Sequence, residues 1–472
     1  MTSALLAAAI LFGTVQQTGL PLRDPLGWWL YMLETHSHEM LPGALPLVGS
    51  TFLERGLHSA AGLRGPGNEI YRRSIPPGGE DSPDIRLSAA GTVAGEVLHY
   101  GGNTETRVGT TGRLFVNILP GLYAHERLSL WAGSDELPPD YFTPFHQGQE
   151  QGRHLYVDWG YLRWSNQTVS ASLGRMPQRW GPGRFTQLLL SDNSPPLDML
   201  KVEFSLWNTL EFTGLTATVN SDSGIYLASH RLDIFPTGNL RIGLSESILF
   251  KSAGLDLAYM NPILPWYPVQ WNERDDDNAF FCFDASWKPA GNLELYGELL
   301  IDDIQYENVG NVPNKLGWTT GISAFSPPLR LGAVLEYTRI DRYVYSQRRE
   351  CNYYLHHGDI IGSGLGPDAD RVTLSLGTAA AWPVLAEVTV DHTRHGEGTV
   401  QDGWPDSVST GEPFPSGVVE YTTGARVHLG WYPVSFLEMH GSAGNDWIRN
   451  RDHVSGESDN RFSTSLELLY NW

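Results

Sequence analysis

Between Arg175 and Asn193 the sequence gathers side chains suited to recognising sugars. Arg175, Arg179 and Arg184 offer planar guanidinium donors, Trp180 a flat apolar ring, and Asp192 and Asn193 short polar groups. Aromatic faces cover sugar rings, while planar polar and charged groups bind hydroxyls and carboxylates. The same residues have a plainer use. The arginines can pair with carboxylates of a protein wall, such as Glu203, and Gly181, Pro182 and Gly183 can simply shape a bend. The bare apolar triplet Leu188, Leu189 and Leu190 sits badly in water, so this stretch is expected to fold inward. A second aromatic set, Tyr259, Trp266, Tyr267 and Trp271 in "LAYMNPILPWYPVQWNERDDDN", suits stacking on sugar or filling a plug.

Catalytic patterns are missing. There is no GxSxG, no HExxH and no phosphate loop, and no nucleophile, histidine and acid constellation, so a non-enzyme is expected. Cys282 and Cys351 allow one disulfide at most, and two unpaired residues are the simpler expectation. His356 and His357 with Cys351 match no metal spacing, and Asp275 to Asp277 read as solvated loop charge. Neither a metal nor a cofactor is expected. With 53 acidic against 32 basic residues the formal net charge is -21, and no Lys/Arg cluster offers a nucleic-acid surface.

Which elements would hold these residues? From about Asp84 onward, segments of roughly ten residues alternate apolar and polar side chains. In "LELYGELLID", Leu293, Leu295, Leu299 and Ile301 share one face, and Glu294, Tyr296, Glu298 and Asp302 the other. Short connections beginning on an aromatic (Trp164, Trp207, Phe235, Trp287, Phe325, Trp382 and Trp431) alternate with mostly long polar ones near 134–151, 251–277, 302–316, 341–370, 393–418 and 444–461. That pattern predicts an all-β fold, a transmembrane antiparallel β-barrel of about eighteen strands over 84–472, with the aromatics at the lipid boundary. An even count puts both ends on the periplasmic side and the stretch at Arg179 at the outer mouth.

Two shorter segments precede the barrel. Residues 1–19 read as a signal peptide around the apolar run Ala4 to Val15. Residues 20–83 read as a small helical periplasmic plug region, where Leu26, Trp29, Leu30 and Leu33 share helical spacing after Asp24 and Pro25. The last strand, "STSLELLYNW", points Leu466, Leu468, Tyr470 and Trp472 outward and ends on an aromatic, which resembles the signal read by the barrel-assembly machinery. Outer-membrane lipid is the expected surround.

The segment "SLGRMPQRWGPGRFTQLLLSDNSPP" resembles the signature of the Wzi family of capsule-assembly outer-membrane proteins: a strand ending Gly-Arg, then Trp-Gly-x-Gly and Ser-Asp-Asn. "YMNPILPW" from Tyr259 and "LYGELLIDD" from Leu295 resemble later family segments. The resemblance implies an eighteen-stranded barrel plugged by a periplasmic helical bundle and by outer loops. It also implies a lectin-like role, tethering capsular or other extracellular polysaccharide at the surface of a Gram-negative cell. Two other functions fit the residues alone. One is a porin or uptake channel with an acidic, cation-favouring lumen; the other is a structural subunit of a larger envelope complex with its own protein partners.

Overall fold

The computed structural model describes residues 86–471, apart from 101, 134–152, 167, 208, 255, 262, 274–276, 305–312, 327, 379–382, 404–412 and 435. The expected signal segment, the helical plug region, Trp382 and the terminal Trp472 therefore lie outside the described residues. The strands are β1 (Arg86–Tyr100), β2 (Asn103–Leu119), β3 (Leu122–Gly133), β4 (Arg153–Ser165), β5 (Val169–Met176), β6 (Leu197–Leu206) and β7 (Leu210–Asn220). Next come β8 (Ile225–Thr237), β9 (Leu240–Lys251), helix α1 (Trp266–Glu273), β10 (Asn278–Ala290), β11 (Leu293–Asp303), β12 (Lys315–Ser326) and β13 (Leu331–Ile340). The short pair β14 (Leu355–His356) and β15 (Asp359–Ile360) is followed by β16 (Ala369–Thr378), β17 (Val384–His395), β18 (Glu420–Val434), β19 (Leu437–Arg449) and β20 (Ser458–Asn471).

All strands except β14 and β15 join one 18-stranded antiparallel sheet. β1 pairs with β2 on one side and β20 on the other, so the sheet closes. Closure leaves no free edge, and every strand finds partners for its backbone groups, which hydrocarbon surroundings demand.

The two faces carry opposite chemistry. Outward positions are apolar and exposed, including Leu155, Leu173, Leu299, Leu335, Leu374, Val390, Leu466 and Leu468. Inward positions are polar and buried. Arg163 reaches Glu203 at 2.6 Å, and Lys201 reaches the same carboxylate at 2.9 Å. Arg231 bridges Asp233 at 2.7 Å and Asp284 at 2.6 Å, and Lys315 meets Asp302 at 2.5 Å. A soluble barrel would put its apolar faces inside; this one places them where lipid tails would cover them. These buried charges come in opposite-sign groups, the condition under which ions are tolerated away from water.

Alternating connections define two ends. On the inner end Trp164, Trp207, Trp287 and Trp431 are all exposed, as expected for a lipid-boundary belt, whereas Phe325 is buried. On the outer end the connection from β1 to β2 is short, and so is the one at 221–224. The outer segment expected at 444–461 is also shorter: β19 and β20 stay paired to Arg449 and Ser458.

Candidate functional site

The connection from β5 to β6 (177–196) turns into the barrel mouth. Trp180 is 1% exposed and Leu188, Leu189 and Leu190 are equally hidden. They pack with Phe280, Cys282 and Leu300 of the inner wall and with Tyr345, Tyr354 and Ile361 of the long connection 341–368. An inward loop must satisfy backbone groups that it removes from water. Here the wall does this through glutamates. Glu336 of β13 accepts the backbone N–H groups of Arg184 at 2.5 Å and Phe185 at 3.1 Å. Glu298 of β11 accepts the Leu188 N–H at 3.0 Å, and the Cys282 thiol also donates to it at 3.3 Å. Arg184 itself donates to both oxygens of Glu294, each at 3.0 Å.

The second loop locks over the first. The Tyr345 hydroxyl donates to the Leu188 carbonyl at 2.5 Å and the Tyr354 hydroxyl to the Leu189 carbonyl at 3.1 Å. The Ser191 N–H donates to the Ile361 carbonyl at 3.0 Å, and the Asn193 amide to the Ile360 carbonyl at 2.9 Å. Within the inserted loop the Trp180 N–H reaches the Leu190 carbonyl at 2.9 Å, closing its neck. Gly181 has φ +111°, and a Cβ there would stand 2.6 Å from Glu298 Oε2. Only glycine lets the chain come this close to the wall. At Gly183 an added Cβ would collide with the Thr186 carbonyl.

The members of the motif therefore sit at different depths. Arg179 donates to the Arg184 carbonyl at 2.9 Å and lies 4.0 Å from Asp192. Arg175 is outside the mouth at the end of β5, pairing with Asp198 at 2.8 Å. None of the three arginines pairs with Glu203, the acid that the sequence suggested; its cationic partners are Arg163 and Lys201. Asp192 is 58% exposed in its side chain and Trp180 offers no face to solvent. Pro177, Gln178, Asp192, Ser194, Pro195 and Pro196 line a shallow outer niche of about 60 Å³.

The aromatic set is elsewhere. The connection 252–277 folds over the outside of the wall, where Trp266 and Tyr259 bury against Ala228, Ile248 and Phe250. Glu246, on the outward face of β9, accepts the N–H groups of Trp266 at 3.2 Å and Tyr267 at 2.7 Å at the start of α1. His230 lies 3.1 Å from that carboxylate. The Tyr259 hydroxyl donates to Asp277 at 2.7 Å. Tyr267 remains partly exposed; the Trp271 side chain is outside the described residues. The sequence thus located both loops and missed their anchors. Glu294 and Glu298 were visible as wet-face residues, but nothing local links them, Glu336 or Glu246 to loops up to 152 residues away in sequence.

A closed barrel with an apolar outer band, a charged interior and loops packed into its mouth is an outer-membrane β-barrel protein. Over residues 90–462 the sequence matches the family "Capsule assembly protein Wzi". The chain belongs to that family. Among solved structures it resembles the Escherichia coli outer-membrane protein Wzi, described as a carbohydrate-binding β-barrel involved in group 1 capsule assembly. That likeness has a TM-score of 0.61 at 14% identity, over 98% of this chain and 97% of the other. Pseudomonas aeruginosa OpdK with vanillate shares the barrel at TM-score 0.50 and 12% identity, over 82% of this chain and 98% of the other. No curated protein matches by sequence.

Proposed function

We propose that this protein attaches or assembles capsular or other extracellular polysaccharide at the cell surface as a non-catalytic, lectin-like barrel. The observation that supports it most is the inserted loop, latched by Glu298 and Glu336 and overlaid by Tyr345 and Tyr354. A loop fixed at so many points gives a binding platform the rigid base it needs. Family membership points the same way.

In this reading Arg179, Trp180, Gly181, Gly183 and Arg184 shape the platform from below. Asn193 ties the inserted loop to its overlay. Arg175 and Asp192, at the outer surface, meet the glycan, and Tyr267 adds an aromatic edge. The C-terminal strand β20 is what the barrel-assembly machinery engages.

Binding of purified capsular polysaccharide to the folded protein tests the proposal. Asp192→Ala with Arg175→Ala is expected to weaken binding about tenfold, the loss of one to two polar contacts, while heat-modifiable gel mobility stays unchanged. Equal binding by wild type and double variant would reject these contacts. No binding by either, together with a steady open current in planar bilayers, would favour a channel.

A further inference from the structure

The outer edge of the wall carries a row of arginines and aromatics, with one aspartate among them, that the polysaccharide reading does not use. Cross-strand pairing places Trp318, Arg339, Asp370, Arg394, Tyr421 and Arg449 side by side on β12, β13, β16, β17, β18 and β19. Alternation puts this row on the outward face, in phase with exposed Leu335, Leu374, Val390 and Val427. From Arg339 to Arg449, each row residue is the last or next to last at the outer end of its strand.

The row has a specific internal order. Arg394 donates to both oxygens of Asp370, at 2.9 and 2.5 Å, and the Tyr337 hydroxyl donates to the same carboxylate at 2.8 Å. Arg339 is held by Asp341 at 2.9 Å and lies 3.6 Å over the Phe414 ring. Arg449 lies 4.2 Å over the ring of Tyr421. Among the described residues no carboxylate forms an ion pair with Arg449. Below Tyr421, His392 Nδ1 and the Thr423 hydroxyl share a 2.9 Å hydrogen bond.

Height fixes what this row faces. Tyr421 and the inner-belt Trp431 lie ten residues apart on one face of β18. At about 3.4 Å per residue and a tilt of 35–45°, that is roughly 25 Å along the membrane normal, the height of an outer-membrane apolar band. Beneath the row, the outward positions of β13 and β16 to β19 hold no Asp, Glu, Lys or Arg. A basic and aromatic edge directly above a bare apolar wall suits an amphiphile with an anionic head and acyl chains.

We propose that Arg394, Tyr421 and Arg449, flanked by Arg339, bind the phosphate-bearing sugar head of a phosphorylated glycolipid of the outer leaflet, whose acyl chains lie against Leu374, Val390 and Val427. Arg394 and Arg449 stand two strands apart, about 10 Å, with the Tyr421 ring between them supporting the Arg449 guanidinium from beneath. A polysaccharide arriving from above would use side chains that point along the barrel axis; these point sideways into the leaflet.

The test uses the full folded protein in detergent and three probes: a lipid A type glycolipid, its dephosphorylated form and its deacylated form, with binding read by native mass spectrometry. Wild type is expected to bind the intact glycolipid at least tenfold more tightly than either altered form. Arg394→Gln with Arg449→Gln is expected to lose about that factor, while Arg330→Gln on the inner side binds like wild type. Equal retention of the dephosphorylated form would overturn the phosphate assignment, and equal retention of the deacylated form would overturn the lipid. If the double variant does not fold, the wild-type comparison alone decides. Loss of capsular polysaccharide binding in the double variant, with glycolipid binding intact, would assign the row to the polysaccharide instead.

Discussion

Two outer loops of this barrel, 177–196 and 252–277, have similar composition and opposite fates. Each is punctuated by glycine or proline, each carries aromatic and apolar residues, and each is held by wall glutamates accepting backbone N–H groups. One turns into the lumen and the other lies on the outer wall. The difference follows from strand phase. Glu298 and Glu336 occupy inward positions, in step with Asp284 and Thr338, whereas Glu246 is out of step with the inward Ser245 and Ser247. A buried N–H needs an acceptor, so the loop goes where the carboxylate is. Composition alone says only that such a loop will be covered.

The largest test of this contrast removes the inner anchor. Glu336→Ala leaves the Arg184 and Phe185 N–H groups and the Tyr296 hydroxyl, 2.8 Å from Glu336, without their acceptor. At about 1–3 kcal/mol for each unsatisfied buried group, the loop is expected to leave the mouth. Planar-bilayer recordings should then show openings absent from wild type; a silent variant would mean that other contacts suffice.

Trp180→Ala comes next. Loss of a buried Trp costs about 3–5 kcal/mol, here confined to the loop and its overlay. Hydrogen exchange at residues 177–196 should accelerate strongly, while the strands β5 and β6 remain protected. Uniform acceleration over the barrel would contradict a local role.

Glu246→Gln is the outer counterpart and should be milder, because the amide still accepts one N–H. Protease sensitivity near α1 is expected to rise with no change in conductance. A new current in this variant would erase the distinction between the two loops.

The smallest effect concerns pH. His356 lies in the overlay loop with its Nδ1 2.9 Å from the Val219 carbonyl, and burial lowers its pKa to about 4. The hydrogen bond to Val219 opposes this shift, His357 and Arg175 add to it, and Asp198 also opposes it. Since the folded value lies below the ordinary value of about 6.5, the neutral ring's contribution is complete above pH 6.5. It declines as pH falls toward 4. Hydrogen exchange at 353–361 should rise over that interval, and His356→Gln should flatten the response.

Much of the barrel was legible because lipid outside and charge inside impose a two-residue period, as in Leu293 to Asp302. Legibility failed at the outer rim. There Asn445 and Arg449 are polar on the outward face of β19 while Ile448 is apolar and buried on the inward one, so alternation fails before the strand ends. In the candidate site, Gly181, Gly183 and the Leu188–Leu190 triplet announced an inward bend. Its acceptors come from β11 and β13, more than a hundred residues away, and only the closed sheet brings them near. Trp180 and Trp266 looked like stacking platforms, yet both are 1% exposed, because a large ring also fills a gap well.

The central claim concerns where polysaccharide stays. In encapsulated cells lacking this protein, the fraction of capsular polysaccharide that sediments with the cells is the quantity to measure. The account predicts that most of it moves to the medium while total synthesis is unchanged, and that the wild-type protein restores it to the cells. An unchanged cell-bound fraction in the deleted strain would contradict the account.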